Sequence, residues 1–435
     1  MSGSVYGGDE VSGLVFDAGA QTFRVGFAGE EFPKGDIPSF IAVQEPLPDA
    51  DVEMKENSES NTSNVQVKRE KNFFIGTTKL TVPRARTTIE NFMKDGMIED
   101  WELFEKILEY SYENVLYSKP EEHPALFTES AWNERAKREK LTELMFEKFQ
   151  VPAYYLSKNV VLSCFAQGRT HGLMVDSGAT QTSVVPVYDG YAVVHAVVKC
   201  PLGGDVICQQ LEHMLNEQKI EVVPTYKIAS KEIVNEGEKP KWAMKKNLPE
   251  VTESYDKFMK KQILEDMSAS ILQLCDQTID LEYADKLPST PYAFPNGFHK
   301  EFLAERIKLP ECLFDLNYLR GDIKKEGLMN VAHMAAMSAN MADIDIRPTL
   351  FSNVTVTGGN SLILGFTERL NHALAMKCPP TIKLRVAAAP TTAERKFGAW
   401  IGGSILGSLG TFQQMWVSKS EYEETGKMIV DKKCP

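Results

Sequence analysis

Two aspartates in this chain sit where apolar strands break into runs of small residues. Residues 13–29 read GLVFDAGAQTFRVGFAG, with Asp17 followed by Ala18, Gly19 and Ala20. Residues 172–193 read GLMVDSGATQTSVVPVYDGYAV, with Asp176 followed by Ser177, Gly178 and Ala179. Laid together, LVFDAGA and LMVDSGA agree in their first Leu, their Asp, their Gly and their last Ala. One such turn is common in structural hairpins, but the same hairpin twice, a domain's length apart, points to a duplicated domain. Small residues at a strand tip let backbone N–H groups approach an oxyanion, forming a nest that needs no side chain. A carboxylate beside that nest suits Mg2+, which keeps most of its waters and is held by one or two carboxylates plus phosphates. A third glycine turn, VTVTGGNSLILGF at 354–366, opens into a helix whose first N–H groups also favour anions. Three such turns imply a nucleotide with Mg2+ between two domains.

The elements that position these tips are legible nearby. Asp189-Gly190 is a tight-turn signal, and the β-branched and aromatic runs 183–188 and 191–198 are expected to pair as strands around it. Strand and helix patterns alternate along the chain, which favours an α/β architecture. Residues 131–149 place Leu141, Leu144, Met145 and Phe149 on one stripe of a helix. Residues 49–72 are polar and nearly free of apolar periodicity, the pattern of an insertion. The lysine-rich run 236–248 reads as a solvated loop face rather than a targeting signal.

Length and composition bound the rest. The chain has 435 residues, 43% hydrophobic and 25% charged, the profile of a globular protein of two or more domains. A net charge of −12 argues against a nonspecific DNA clamp, which needs a dominant basic face. Seven cysteines without a CxxC pair argue against a disulfide framework or zinc site and for a reducing compartment. No signal peptide and no apolar run of membrane-spanning length is visible. None of the seven histidines sits in a nucleophile–base pattern, so covalent catalysis has no support.

The run ERKFGAWIGGSILGSLGTFQQMWVSKSEYEE at 394–424, with both hairpins and the Gly-Gly turn, resembles actin, and the chain is identified as a member of the actin superfamily. The likeness runs from about residue 11 to Cys434, interrupted at 44–72 and across 216–290. Within the family, GMIEDWELFEKIL, REKLTELMF, PTYKIASKE and KKCP are similar to a nuclear branch of actin-related proteins found in SWI/SNF-type and related chromatin complexes. The resemblance implies an α/β actin-like fold, two duplicated ribonuclease-H-like domains around a nucleotide cleft, in four subdomains. Residues 1–38, 92–166 and 398–435 would form the first subdomain, and 39–91, with the polar insertion, the second. Residues 167–202 and 322–397 would form the third, and 203–321 the fourth.

The resemblance also implies ATP and Mg2+ as ligands. Asp17 and Asp176 fall on the carboxylates that hold the hydrated metal. Gly19, Ala20, Gln21 and Thr22, and Gly178, Ala179, Thr180 and Gln181, fall on the two phosphate turns. Arg24 replaces the phosphate-contacting lysine; Gly358, Gly359 and Asn360 fall on the turn under the α-phosphate and ribose, and Lys396 beside adenine. Departures accumulate around the attacking water. Ala20 replaces a serine, Gln21 a glycine, Asn159 a glutamine that orients the water and Ser183 a histidine of the same network, while Ile363 replaces an aromatic beside adenine. Phosphoryl transfer is nearly all positioning and charge stabilisation, so hydrolysis is expected to be slow or absent.

The family's groove between the first and third subdomains accepts an amphipathic helix, and this chain keeps Phe165, Ile405, Leu406, Leu409 and Met415 there. The resemblance therefore implies a nuclear scaffold subunit of chromatin-remodelling, and by extension histone acetyltransferase, complexes. It would dock with nuclear actin on a helix of the remodelling ATPase and contact other complex subunits. No direct sequence-specific nucleic-acid contact, no membrane and no filament is expected. The competing reading is an ATP-hydrolysing cytoskeletal filament protein, weakened by the 44–72 insertion in the loop actin uses to grip its neighbour. A phosphotransferase of the wider superfamily would need a general base near the γ-phosphate, and none is evident.

Overall fold

The computed structural model describes residues 12–46, 71–234 and 236–435. Most of the 49–72 insertion lies outside these residues; on either side of it, the strands Phe40–Gln44 and Asn72–Phe74 pair antiparallel, Gln44 opposite Asn72.

The duplication read from the hairpins extends to two whole sheets. In the first, Leu14–Ala18 pairs antiparallel with Thr22–Phe27, which pairs with Gly35–Pro38. On its other side Leu14–Ala18 runs parallel to Ala125–Glu129, and that strand parallel to Ala153–Lys158. In the second, Gly172–Ser177 pairs antiparallel with Thr182–Tyr188, which pairs with Val198–Cys200. Gly172–Ser177 also runs parallel to Val354–Thr357, and that strand parallel to Val386–Ala388. Both sheets thus carry three antiparallel strands continued by two parallel ones. The central strands LVFD and LMV are buried on both faces, as apolar runs in covered mixed sheets must be.

One expected strand is broken. The run 191–198 forms only the two-residue strand Tyr191–Ala192, then a 3-10 turn Val194–Ala196, before pairing resumes at Val198. Pro186 explains it. Its carbonyl accepts from the Val193 N–H, so its missing N–H faces the same edge and the ladder loses a donor there. The helix expected over 131–149 begins at Arg135, and its last turn widens into a π-helical segment, Leu144–Lys148. Leu141, Met145 and Phe149 are buried and Leu144 half-buried, as its stripe requires.

Two helices, Asn159–Ala166 and Thr392–Ser408, pack between the sheets. They meet so closely that a Cβ on Gly402 would fall inside the Leu162 carbonyl, so only glycine fits. Thr391 starts the longer helix with a capping box to Glu394. That helix runs through the 397/398 boundary without a break.

The hydrophobic cores draw on residues far apart in the chain. One spans the second sheet and residues 203–321 together, and a second fills the first sheet, reaching from Leu14 to Cys434. A third joins Ala42 and Leu80 to Tyr226, Tyr255, Phe258 and Met259 across the top of the molecule. The helix Glu253–Ile271 bears three of those residues. Its N-cap Thr252 accepts from the Tyr255 N–H while its own hydroxyl donates to the Thr87 carbonyl at 2.6 Å, so one side chain caps the helix and ties the upper lobes. No helix among the described residues is long and apolar enough to cross a membrane.

Below the first hairpin lies a buried charge network. Glu129 accepts from Lys158, Arg138 and Asn133, and Arg138 also donates to the Cys434 carbonyl and to Asp431. Burial pushes the Lys158 ammonium below the usual lysine range, against the pull of Glu129.

Candidate functional site

The two tips share a turn hydrogen bond and a strand register. The Gly19 N–H donates to the Thr22 carbonyl at 3.1 Å, and the Gly178 N–H to the Gln181 carbonyl at 2.9 Å, two and five residues beyond the respective aspartate. The residue opposite each aspartate lies seven positions on, Arg24 across from Asp17 and Ser183 across from Asp176. Among the described residues the N–H groups of Ala20, Gln21, Ala179 and Thr180 find no acceptor. Four backbone donors at two neighbouring tips are what an oxyanion ligand needs.

The carboxylates differ. Asp17, 4% exposed, accepts from Thr128 Oγ1 at 2.7 Å on one oxygen and from Arg24 Nη1 at 2.8 Å on the other. Asp176 is half-buried and has no hydrogen-bond or ion-pair partner among the described residues. Burial first, then the Asp17 charge, with Arg24 opposing, pushes its pKa up to about 6. A carboxylate held apart from water without a donor is a cost that a cation relieves. Among the described residues no three metal-ligating side chains cluster, so a pair of carboxylates with water in the remaining positions is the donor set on offer.

The third turn closes on the second tip. Gly358 has φ of 89°, and a Cβ there would lie 2.5 Å from Asp176 Oδ1; glycine alone lets this backbone reach the carboxylate. Gly359 faces open space. Asn360 Nδ2 donates to Ser177 Oγ at 3.1 Å and to the Gly178 carbonyl at 2.9 Å, fixing the tip. Gly203 and Gly204 pack on Ala179, and the Gly204 N–H donates to the Gly178 carbonyl.

The remaining residues divide. Arg24, matched to a phosphate-contacting lysine, spends its charge on Asp17 and Asp36 and stacks over Phe397. Lys396 is exposed in the second turn of its helix. Asn159 turns its Oδ1 back to the Val160 N–H at 2.8 Å. Ser183 is 2% exposed on the sheet face that carries Asp176. Far from these, Ile405, Leu409 and Met415 are 42%, 45% and 41% exposed, with Leu406 and Phe165 half-buried, while Phe412, at the same spacing, is core against Tyr155 and Trp416. Sequence reading missed Thr128, Lys261 and Glu265. The hairpin register alone gives the Asp17–Arg24 pair, but nothing local marks Thr128, which is 111 residues from Asp17.

Comparison with known proteins agrees with this architecture. The actin family profile matches residues 8–435. A protein of Arabidopsis thaliana named actin-related protein 4 is 38% identical over 99% of this chain and 100% of its own length. Proteins of the same name from Oryza sativa and Yarrowia lipolytica are each 35% identical over 99% of this chain, covering 100% and 97% of their own lengths.

Proposed function

Since this chain belongs to the actin family, we propose that it is a non-polymerising actin-related subunit of nuclear chromatin-remodelling complexes that holds ATP and Mg2+ as a structural element. The observation that carries the ligand reading is the facing pair of tips, four unpaired backbone donors beside an unpartnered Asp176. Phosphates fit those donors, and Asp176, with Asp17 behind it, would hold the hydrated metal, whose charge offsets the phosphates and the raised carboxylate together. Gly358, without a Cβ, leaves room beside Asp176 for the ligand.

Hydrolysis is slow on this reading. Asn159 has its amide oxygen committed to its own helix, Ser183 is buried without an imidazole, and Ala20 offers no hydroxyl. ATP then serves as a strut between lobes.

For the partner, the exposed strip Ile405, Leu409 and Met415 supplies apolar anchors on a body of net charge −12, which suits a basic amphipathic helix of a remodelling ATPase. Nuclear actin would dock on the same helix. Leu409→Asp places a charge on a half-exposed position, so the fold should survive while a hot-spot anchor worth about 2 kcal/mol, roughly thirtyfold in affinity, is lost. The expected result is a variant that no longer co-purifies with the remodelling ATPase from nuclear extract, while the wild-type complex carries its nucleotide as ATP. Full co-purification of a folded Leu409→Asp variant, or ADP in the wild-type complex, would count against the reading.

A further inference from the structure

The first hairpin tip reaches across the cleft. Gln21 Nε2 donates to Glu265 Oε2 at 3.1 Å, and Lys261 Nζ donates to Gln21 Oε1 at 3.3 Å. Both partners lie one turn apart on the helix Glu253–Ile271, in the opposite lobe. Lys261 is itself paired with Asp205 Oδ1 at 2.7 Å, and the Asp205 N–H donates to the Ala179 carbonyl at 2.8 Å. The run from Gln21 through Lys261 and Asp205 to Ala179 therefore joins the two phosphate-facing tips directly, side chain to backbone. Of these links only Gln21 belongs to the first tip.

Above this bridge the lobes are also sealed by apolar packing. The Phe40 ring lies 5.3 Å from that of Phe258, and the Lys261 ammonium sits 5.3 Å over the Phe40 centroid, so the polar bridge and the apolar seal share a residue. Tyr255 OH donates to the Thr81 carbonyl at 2.8 Å, and Ser254 Oγ accepts from the Ile89 N–H at 3.0 Å. The seal and the bridge both tie the helix Glu253–Ile271 to the lobe that carries Gln21 and Phe40, so parting the lobes there requires both to break.

We propose that Gln21 is a bolt on the nucleotide cleft: by bonding Glu265 and Lys261 across the mouth it keeps the lobes closed and makes a seated nucleotide leave slowly. The residence time is then set by breaking these bonds rather than by hydrolysis. This rests on the ATP reading above for what is confined, while the bolt is made of the protein's own side chains. A hydrogen bond to a charged group is worth roughly tenfold or more in an opening equilibrium.

Hydrogen exchange on the full chain stripped of nucleotide tests the bolt alone. Gln21→Ala, at a half-buried turn position, and Lys261→Met, which keeps the side-chain stem, are each expected to speed exchange roughly tenfold at Gly19, the hydrogen-bonded amide of the tip, and at residues 253–261. Exchange in the strand Ala125–Glu129 should stay as in wild type, which also reports that both variants are folded. Unchanged exchange at the tip and helix in both variants overturns the proposal. A chase of a fluorescent ATP analogue by excess ATP adds the second readout. Gln21→Ala should release the analogue roughly tenfold faster than wild type, and equal rates overturn the bolt. If wild type takes up no analogue, the ATP reading falls, and the exchange comparison still decides for or against the bolt.

Discussion

In the first hairpin both oxygens of Asp17 are engaged, by Arg24 and by Thr128; in the second, Asp176 stands at the same place on the same turn with neither oxygen engaged among the described residues. The two backbones share their turn hydrogen bond and their register. What diverged is the residue opposite, an arginine in one copy and a buried serine in the other. Duplication therefore supplied the geometry twice, and side-chain environment split the roles. Asp17 is an anchor whose charge the protein itself compensates, and Asp176 carries a carboxylate that no described side chain bonds.

Breaking the anchored copy should have the largest effect. Asp17→Asn keeps the acceptor for Thr128 but leaves Arg24, 19% exposed, with only the more distant Asp36 carboxylate at 3.6 Å. Stripped protein is expected to lose about 2–3 kcal/mol in urea unfolding, and Mg-ATP should no longer raise its melting temperature. A loss of less than about 0.5 kcal/mol would show that Arg24 finds other support. The unpartnered copy should behave in the opposite way. Asp176→Asn removes a charge that no side chain bonds and that burial and Asp17 disfavour more than Arg24 offsets, so stripped protein should be as stable as wild type or gain up to about 1 kcal/mol. The same variant should lose the stabilisation by Mg-ATP, about 2.7 kcal/mol in wild type at 100 times Kd. Strong destabilisation of the stripped variant would erase the contrast between the two aspartates.

A pH series resolves the contrast most finely. Asp176 has a folded pKa of about 6, above the roughly 3.9 of an unfolded aspartate. A carboxyl raised on folding binds its proton more tightly in the folded state, so the stripped fold gains stability as pH falls from about 6 toward 4. Over that window wild type should approach Asp176→Asn in stability, while the Mg-ATP effect fades as the metal-facing charge is neutralised. A parallel course for the two proteins across pH 4–7, followed by thermal melts, would place the titration elsewhere.

The sequence carries the two Asp-x-Gly tips plainly because a turn that presents backbone donors admits only small residues, and the requirement is local. Arg24 is visible as a residue, but its pairing with Asp17 depends on hairpin register. Pro186 sat in the expected strand pair with its missing donor on view, yet which edge it faces is decided only when the sheet forms. Gln21 reads as a mere substitution for glycine until the helix 253–271 arrives, 244 residues away in sequence, to receive it. The cores were hidden for the same reason. Subdomain boundaries follow chain segments, whereas Phe258 and Ala42 meet by tertiary packing that no local pattern encodes.

The Arg138 clamp on Cys434 bears on the order in which the molecule can be made. Strand Leu14–Ala18 leaves the ribosome first, yet its sheet is completed at one edge by Val417–Ser418 and its core by Trp400, Val430 and Cys434. The second sheet ends its strands at Val386–Ala388, and Arg395, a few residues on, completes its hydrogen bonds at Thr357, Gly358 and Ser361. The lobe synthesised first is thus the last able to finish, waiting with an exposed apolar sheet for some four hundred residues to follow. Cys434 is buried in that lobe's core, so a bulky addition placed directly on it would act on assembly of the lobe that carries Asp17.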